Sequence, residues 1–143
     1  MIGLTAEAPR RRGRKGMMHN EISSQIIQAS IEVHRELGPG LLEGVYELCL
    51  VQVLKDMGLR VEQQVPVPIA FRGKDLGAVL RLDLIVEGLV IVEVKAVEAL
   101  HDSHIAQLLT YLKLTGCQLG LLINFNEALL KKGLRRVVNG LPE

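Results

Sequence analysis

Apolar residues recur every three or four positions between 19 and 37, at Ile22, Ile26, Ala29, Val33 and Leu37, which predicts an amphipathic helix. The Gly-Pro-Gly run at 38–40 stops it. A second helix is predicted over 41–57, with Leu42, Val45, Leu48, Cys49 and Val53 facing inward and Gly58 as its C-terminal stop. The period then changes from about 3.6 to about 2. Val61, Val65, Val67 and Ile69 alternate as in a strand, and Pro66 and Pro68 require that strand to lie at a sheet edge or carry a bulge. Segments 74–88 and 89–97 read as two more strands joined at Glu87 and Gly88. A third helix is predicted over 102–115, capped by Asp102 or Ser103, with Ile105, Leu108, Leu109 and Leu112 on its core side and Gly116 ending it. Residues 117–125 are apolar enough for a strand buried on both faces. The following tail divides between helix and strand, and its β-branched Val137 and Val138, with Gly133 weakening a helix, favour a strand over 134–138. The order helix, helix, three strands, helix, strand predicts an α/β protein with a mixed sheet flanked by helices.

One part of this pattern is discordant. The stretch VLRLDLIVEGLVIVEVKA, residues 79–96, is mostly aliphatic but carries Arg81, Asp83, Glu87, Glu93 and Lys95. By strand alternation Val79, Arg81, Asp83 and Ile85 share one face, and Leu80, Leu82, Leu84 and Val86 the other; Ile91, Glu93 and Lys95 likewise oppose Val90, Val92 and Val94. The charged faces coincide only if Asp83 lies opposite Glu93. That register needs an odd-length connection such as 87–89, or a bulge, because a two-residue turn at 87–88 would set Asp83 against Val92. With the faces together, two carboxylates meet in a covered sheet, where they repel and are costly to desolvate unless a cation joins them. Mg²⁺ takes oxygen ligands and keeps several waters, so Asp83, Glu93 and the Val94 carbonyl would form a partial shell for it. Lys95, on the same face as Glu93, would act on a metal-bound water or on phosphate charge. The plainer alternative is a solvated cross-strand ion pair.

Composition narrows the choice. In 143 residues, 48% hydrophobic, there is room for one core, so one domain is expected over 17–143. Residues 1–16, with Arg10, Arg11, Arg12, Arg14 and Lys15, are set aside as a basic disordered tail or start extension. The net charge of +1 therefore misleads: five of the 17 basic residues lie in that run, and from Gly16 onward 12 basic residues face 15 acidic ones, 16 less Glu7. Such a body would hold a polyanion only through a local patch or a bound cation. Aromatics at 3%, without Trp, exclude a site built mainly on base stacking. Cys49 and Cys117 lack the spacing of a zinc site or redox pair and are expected to be reduced core residues. With neither a membrane-length apolar run nor a signal-peptide pattern, the expected location is cytoplasmic, with no membrane partner.

Asp83, with Glu93-x-Lys95 ten residues on, set between helices, resembles the PD-(D/E)XK nuclease superfamily. Gly40, Glu43 and Tyr46 in GLLEGVY match the signature of the GxxExxY family, and Gln107 and Tyr111 in QLLTY resemble the Gln-x-x-x-Tyr motif of RecB-like nucleases in the same superfamily. The resemblance covers about 18–140 and implies a restriction-endonuclease-like core of helix, three-stranded meander, helix and strand. It further implies metal-dependent cleavage of DNA, with Asp83, Glu93 and Glu43 holding Mg²⁺ (or Mn²⁺ in its place) beside the Val94 carbonyl of the partial shell above, Lys95 catalytic, and Gln107 and Tyr111 contacting the nucleic acid or buttressing the site; Tyr46 is assigned to the substrate with them. Leu82 stands where the superfamily often has proline.

On the residues alone, Glu43 is as readily explained by the positive end of its helix. Glu43, Tyr46 and Glu47 share a helix face able to look toward the hairpin, and His104, Gln107 and Tyr111 form a polar strip on the third helix. The functional expectation is a metal-dependent nuclease using a metal-activated water. The alternative is a non-catalytic nucleic-acid- or protein-binding module of the same fold. The first helix or the edge strand offers a surface for a homodimer.

Overall fold

The structure, a computed structural model, describes residues 15–141. Helices α1 (Lys15–Leu37) and α2 (Glu43–Asp56) precede the meander β1 (Val61–Phe71), β2 (Lys74–Val86) and β3 (Val90–Lys95). Then come α3 (Asp102–Thr115), β4 (Leu119–Asn124), a 3₁₀ turn at Leu130–Gly133 and β5 (Leu134–Val138). The tail assigned to 1–16 lies outside the described residues except for Lys15 and Gly16, which already belong to α1. The five strands form one sheet in the order β1-β2-β3-β4-β5, antiparallel except for the β3–β4 pair. That parallel pair follows from the crossover through α3. The expected class and element order hold throughout, and no helix among the described residues is long and apolar enough to cross a membrane.

Both faces of the sheet are covered. One carries α1 and α2 over Leu84, Val86, Val90, Val92, Val94, Leu119, Leu121 and Ile123. The other carries α3 over Ile85, Ile91 and Leu122, with Leu108 and Leu112 from the helix. β4 is buried from end to end, as its continuous apolar run requires. β1 is an edge strand, with Pro66 and Pro68 exposed and register shifts between Val67 and Ala70. The turn after it is a two-residue one, and Arg72 and Gly73 take the positive φ that such a turn needs.

Two expectations about faces need correction. α2 does not turn Leu42, Val45 and Leu48 inward: Leu42 is 79% and Leu48 65% exposed, whereas Tyr46, Leu50, Val51 and Leu54 are buried. The buried stripe is offset by about one residue, roughly 100° of helix rotation. The cause is Tyr46, whose ring stacks on Phe125 at 4.7 Å and whose hydroxyl donates to the Gly38 carbonyl and accepts from Leu41 N–H. Cys49 and Val53 stay at the margin of the core, and Cys49 and Cys117 are not joined in a disulfide.

The second correction concerns the pleat. Leu84 and Val86 pack under α1 and α2, but Leu80 and Leu82 pack on the α3 side; on β1, Val61 lies with the first group, and Val65 and Val67 with the second. Alternation therefore reverses on both strands at one level. Gln64, between Val61 and Val65, has φ of +49°, and Asp83, between Leu82 and Leu84, lies where the β2–β3 pairing ends at Leu84 and Val92.

Gly133 closes the 3₁₀ turn against β4, and a Cβ there would collide with the Asn124 backbone carbonyl. Gly133→Ala is expected to destabilise the protein by about 1–3 kcal/mol, the usual cost of overpacking against a part that cannot move. A lowered urea midpoint with unchanged m would register it.

Candidate active site

β2 and β3 are joined by Glu87, Gly88 and Leu89, with Val86 paired to Val90. This three-residue connection gives the register in which Asp83 falls level with Glu93. Glu87 and Gly88 both have positive φ, and Glu87 is tied to the residue preceding β1 by accepting Arg60 N–H at 2.6 Å.

Beyond Leu84 the two strands are held together by side chains instead of a backbone ladder. Asp83 N–H donates to Glu93 Oε2 at 2.9 Å, and Val94 N–H donates to Asp83 Oδ2 at 2.8 Å. Each carboxylate thus fills the place of a backbone acceptor on the opposite strand. The plainer alternative, a solvated cross-strand ion pair, does not describe this arrangement, since each acid clips the main chain of the opposite strand.

Burial has the largest effect on both groups. Glu93 is 4% exposed, and burial, with the Asp83 charge next, pushes its carboxyl up to about 8 against the hydrogen bond from Asp83 N–H and the Lys95 ammonium. Asp83 is pushed up to about 6, again chiefly by burial, opposed by the Val94 hydrogen bond and by Lys95, with Glu47 and Glu43 adding repulsion. One lysine does not offset the desolvation of two acids. The arrangement lacks positive charge, which is what a divalent cation supplies.

Lys95 ends β3 and is half-buried. Its carbonyl accepts Phe125 N–H at 2.9 Å. The chain just past it is fixed by Asn124, which is fully buried: its Oδ1 accepts Val97 N–H and its Nδ2 donates to the Val97 carbonyl, both at 3.0 Å. This pair of bonds holds the chain two residues past the end of β3.

The remaining expected residues divide. Glu43 begins α2, exposed, and its charge reaches Asp83 and His104. Tyr111 is buried on α3, and burial, then the charges of Glu93 and Asp83, push its phenol up, which places it beside the pair. Gln107 is exposed one turn earlier on α3. Tyr46, expected at the substrate, is 0% exposed in the core and offers a ligand no surface. His104 serves the start of α3, where the cap is His101 instead of Asp102 or Ser103: His101 N–H donates to His104 Nδ1 at 3.0 Å. Partial burial and the nearby Lys95 and His101 charges lower the His104 pKa.

Two residues without an assigned role from sequence belong to this region. Glu47, one turn beyond Glu43, acts electrostatically on both Asp83 and Glu93, and Gln64 donates its amide to Glu47. The Glu43–Glu47 spacing was a visible signal for the first. Nothing local marked the second.

Among the described residues no group of three or more His, Cys, Asp or Glu side chains is gathered for a metal ion. The donors to hand are the Asp83 and Glu93 oxygens that accept no N–H and the Val94 carbonyl. An all-oxygen set with few protein ligands and room for water fits Mg²⁺ or Mn²⁺ and would not suit a zinc site. Across 20–137 the chain matches the family model of the PD-(D/E)XK nuclease superfamily. No match is found among curated proteins or solved structures.

Proposed function

The chain belongs to the PD-(D/E)XK nuclease superfamily, and from that premise we propose that it is a metal-dependent nuclease hydrolysing phosphodiester bonds, with DNA as substrate. The observation that carries the reading is the mutual clip of Asp83 and Glu93, two buried acids short of positive charge, beside Lys95. Asp83, Glu93 and the Val94 carbonyl would hold Mg²⁺ or Mn²⁺, assisted by Glu43. A bound ion of this kind polarises the phosphate and acidifies a water. Lys95, fixed at the end of β3, orients the attacking water or neutralises phosphate charge. Tyr111 and Gln107 are assigned to the substrate side, and the GxxExxY and Gln-x-x-x-Tyr signatures are read as those of the finer families. The acidic body is consistent with a substrate polyanion whose approach depends on the cation.

A non-catalytic module of the same fold is disfavoured, because the acid pair raises an electrostatic cost that pure binding has no use for. Cys49 and Cys117, not joined in a disulfide, accord with a cytoplasmic setting, and dimerisation through α1 or β1 would let one small protein address both strands. The direct test is incubation of purified protein with linear duplex, supercoiled plasmid and single-stranded DNA and with RNA, in Mg²⁺, Mn²⁺ or EDTA. Cleavage of DNA that EDTA abolishes is expected; no cleavage of any polynucleotide with either ion would remove the reading.

A further inference from the structure

Charge is unevenly placed within the folded body. Residues 128–142 hold Lys131, Lys132, Arg135 and Arg136 and no acid, which leaves 8 basic residues, 12 less these four, against 15 acidic ones elsewhere in the chain from Gly16 onward. All four cations are exposed, and among the described residues none of them is paired with a carboxylate. Lys131 also lines, with His34 and Arg35, a cavity between α1 and the 3₁₀ turn, so a fifth cation adjoins the group.

The chain that carries them is fixed. Gly133 packs so closely on Asn124 that a Cβ would meet its carbonyl, and Arg136 Nη2 donates to Asn20 Oδ1 on α1 at 3.1 Å. Arg135 Nη1 donates to the Lys132 and Leu134 carbonyls, both at 2.9 Å, while its Nε and Nη2 have no hydrogen-bond partner among the described residues. A guanidinium held in this way presents its remaining donors to an anion, and their planar geometry suits phosphate.

The sheet register ties this edge to the acid pair. Glu93 pairs with Leu122 and Leu122 with Arg135, so the three form one row across β3, β4 and β5. Leu122 and Val137 pack on the α3 side, which puts Glu93 and Arg135 on that side too. At about 4.8 Å between strands the two are about 10 Å apart along the row, or about three base-pair steps of about 3.4 Å.

We infer that Lys131, Lys132 and Arg135, with Arg35 and Arg136 at the margin, form the surface that grips the phosphate backbone of duplex DNA, a few base pairs from the bond cleaved at Asp83 and Glu93. Placing this surface in the substrate's path rests on the nuclease reading above. It supplies the local patch through which a net-acidic body can approach a polyanion before any cation is bound.

Titration of a short labelled DNA duplex in EDTA at varied salt reads these contacts without cleavage and without a bridging metal. Removing Lys132 and Arg135 together, as Lys132→Gln with Arg135→Gln, should flatten the slope of log affinity against log salt by roughly 0.9 for each charge and weaken binding about tenfold for each at about 0.1 M salt. Arg72→Gln with Lys74→Gln removes as many charges at the β1–β2 turn, toward the opposite edge of the sheet, and should leave the slope as it was. An equal loss in that control, or an unchanged slope in the patch variant, overturns the inference. So does retention of the wild type on phosphatidylserine vesicles with no binding to the duplex. Should the double variant not fold, an unchanged slope in Lys132→Gln alone overturns it equally. A wild type that binds the duplex through this patch yet cleaves no polynucleotide with Mg²⁺ or Mn²⁺ removes the nuclease reading and leaves the contact standing.

Discussion

Asp83→Asn, Glu93→Gln and Lys95→Ala are each expected to reduce metal-dependent cleavage by about 10²–10⁴-fold, the range in which loss of a positioned acid, base or charge-stabilising group falls. The isosteric changes at the two acids are the informative ones. An asparagine oxygen at 83 still accepts Val94 N–H, and a glutamine oxygen at 93 still accepts Asp83 N–H, so both clips between β2 and β3 persist while the charge is lost. Alanine at either position would remove the clip as well and confuse chemistry with folding. Lys95 is half-buried at the end of a strand whose backbone is held by Phe125 and, just beyond, by Asn124, so its truncation should leave the fold intact. Cleavage by each variant at equal, saturating Mn²⁺, with circular dichroism to confirm folding, is the measurement. A wild-type rate in a folded Lys95→Ala or Asp83→Asn protein would sink the assignment.

The arrangement behind these residues was legible in the sequence to different depths. α3 and β5 have the predicted bounds because their stop signals are local: Gly116 takes the left-handed angle that ends the helix, and the β-branched pair at 137–138 follows a glycine that fits only against β4. The register that brings Asp83 level with Glu93 was also readable, since it follows from the length of one loop. The pleat reversal was not. Leu82, Leu84 and Ile85 are aliphatic whichever face each takes, so the apolar pattern does not mark the switch, and the strained residue accompanying it, Gln64, has no special composition around it. The face of α2 was misread because two apolar stripes compete on that helix, and what decides between them is a stack on Phe125, 79 positions away in the chain. Glu47 was visible as a neighbour of Glu43, but its contact with Gln64 joins elements 17 residues apart.

The acid pair also predicts that the metal-free protein loses stability as pH rises, opposite to the usual behaviour of carboxylates. In the folded state Asp83 titrates near 6 and Glu93 near 8, both above ordinary carboxyl values, so the folded chain binds more protons than the unfolded one in between. Their contribution is fully present below about pH 4 and is lost progressively as pH rises through about 8. At about 1.4 kcal/mol for each pH unit by which a pKa is raised, the buried Glu93 alone makes this an effect on the order of a few kcal/mol. In EDTA the melting temperature should fall between pH 5 and pH 8.5. Glu93→Gln, which keeps the acceptor for Asp83 N–H and removes the charge, should flatten that fall and melt above the wild type at pH 8.5. Mg²⁺ or Mn²⁺ should do the same for the wild type, most strongly at high pH where both acids are ionised, and do much less for the variant, because the ion binds only the folded state. A wild-type melt that is flat over this range and identical to that of Glu93→Gln would mean that the two acids are not competing for a missing cation.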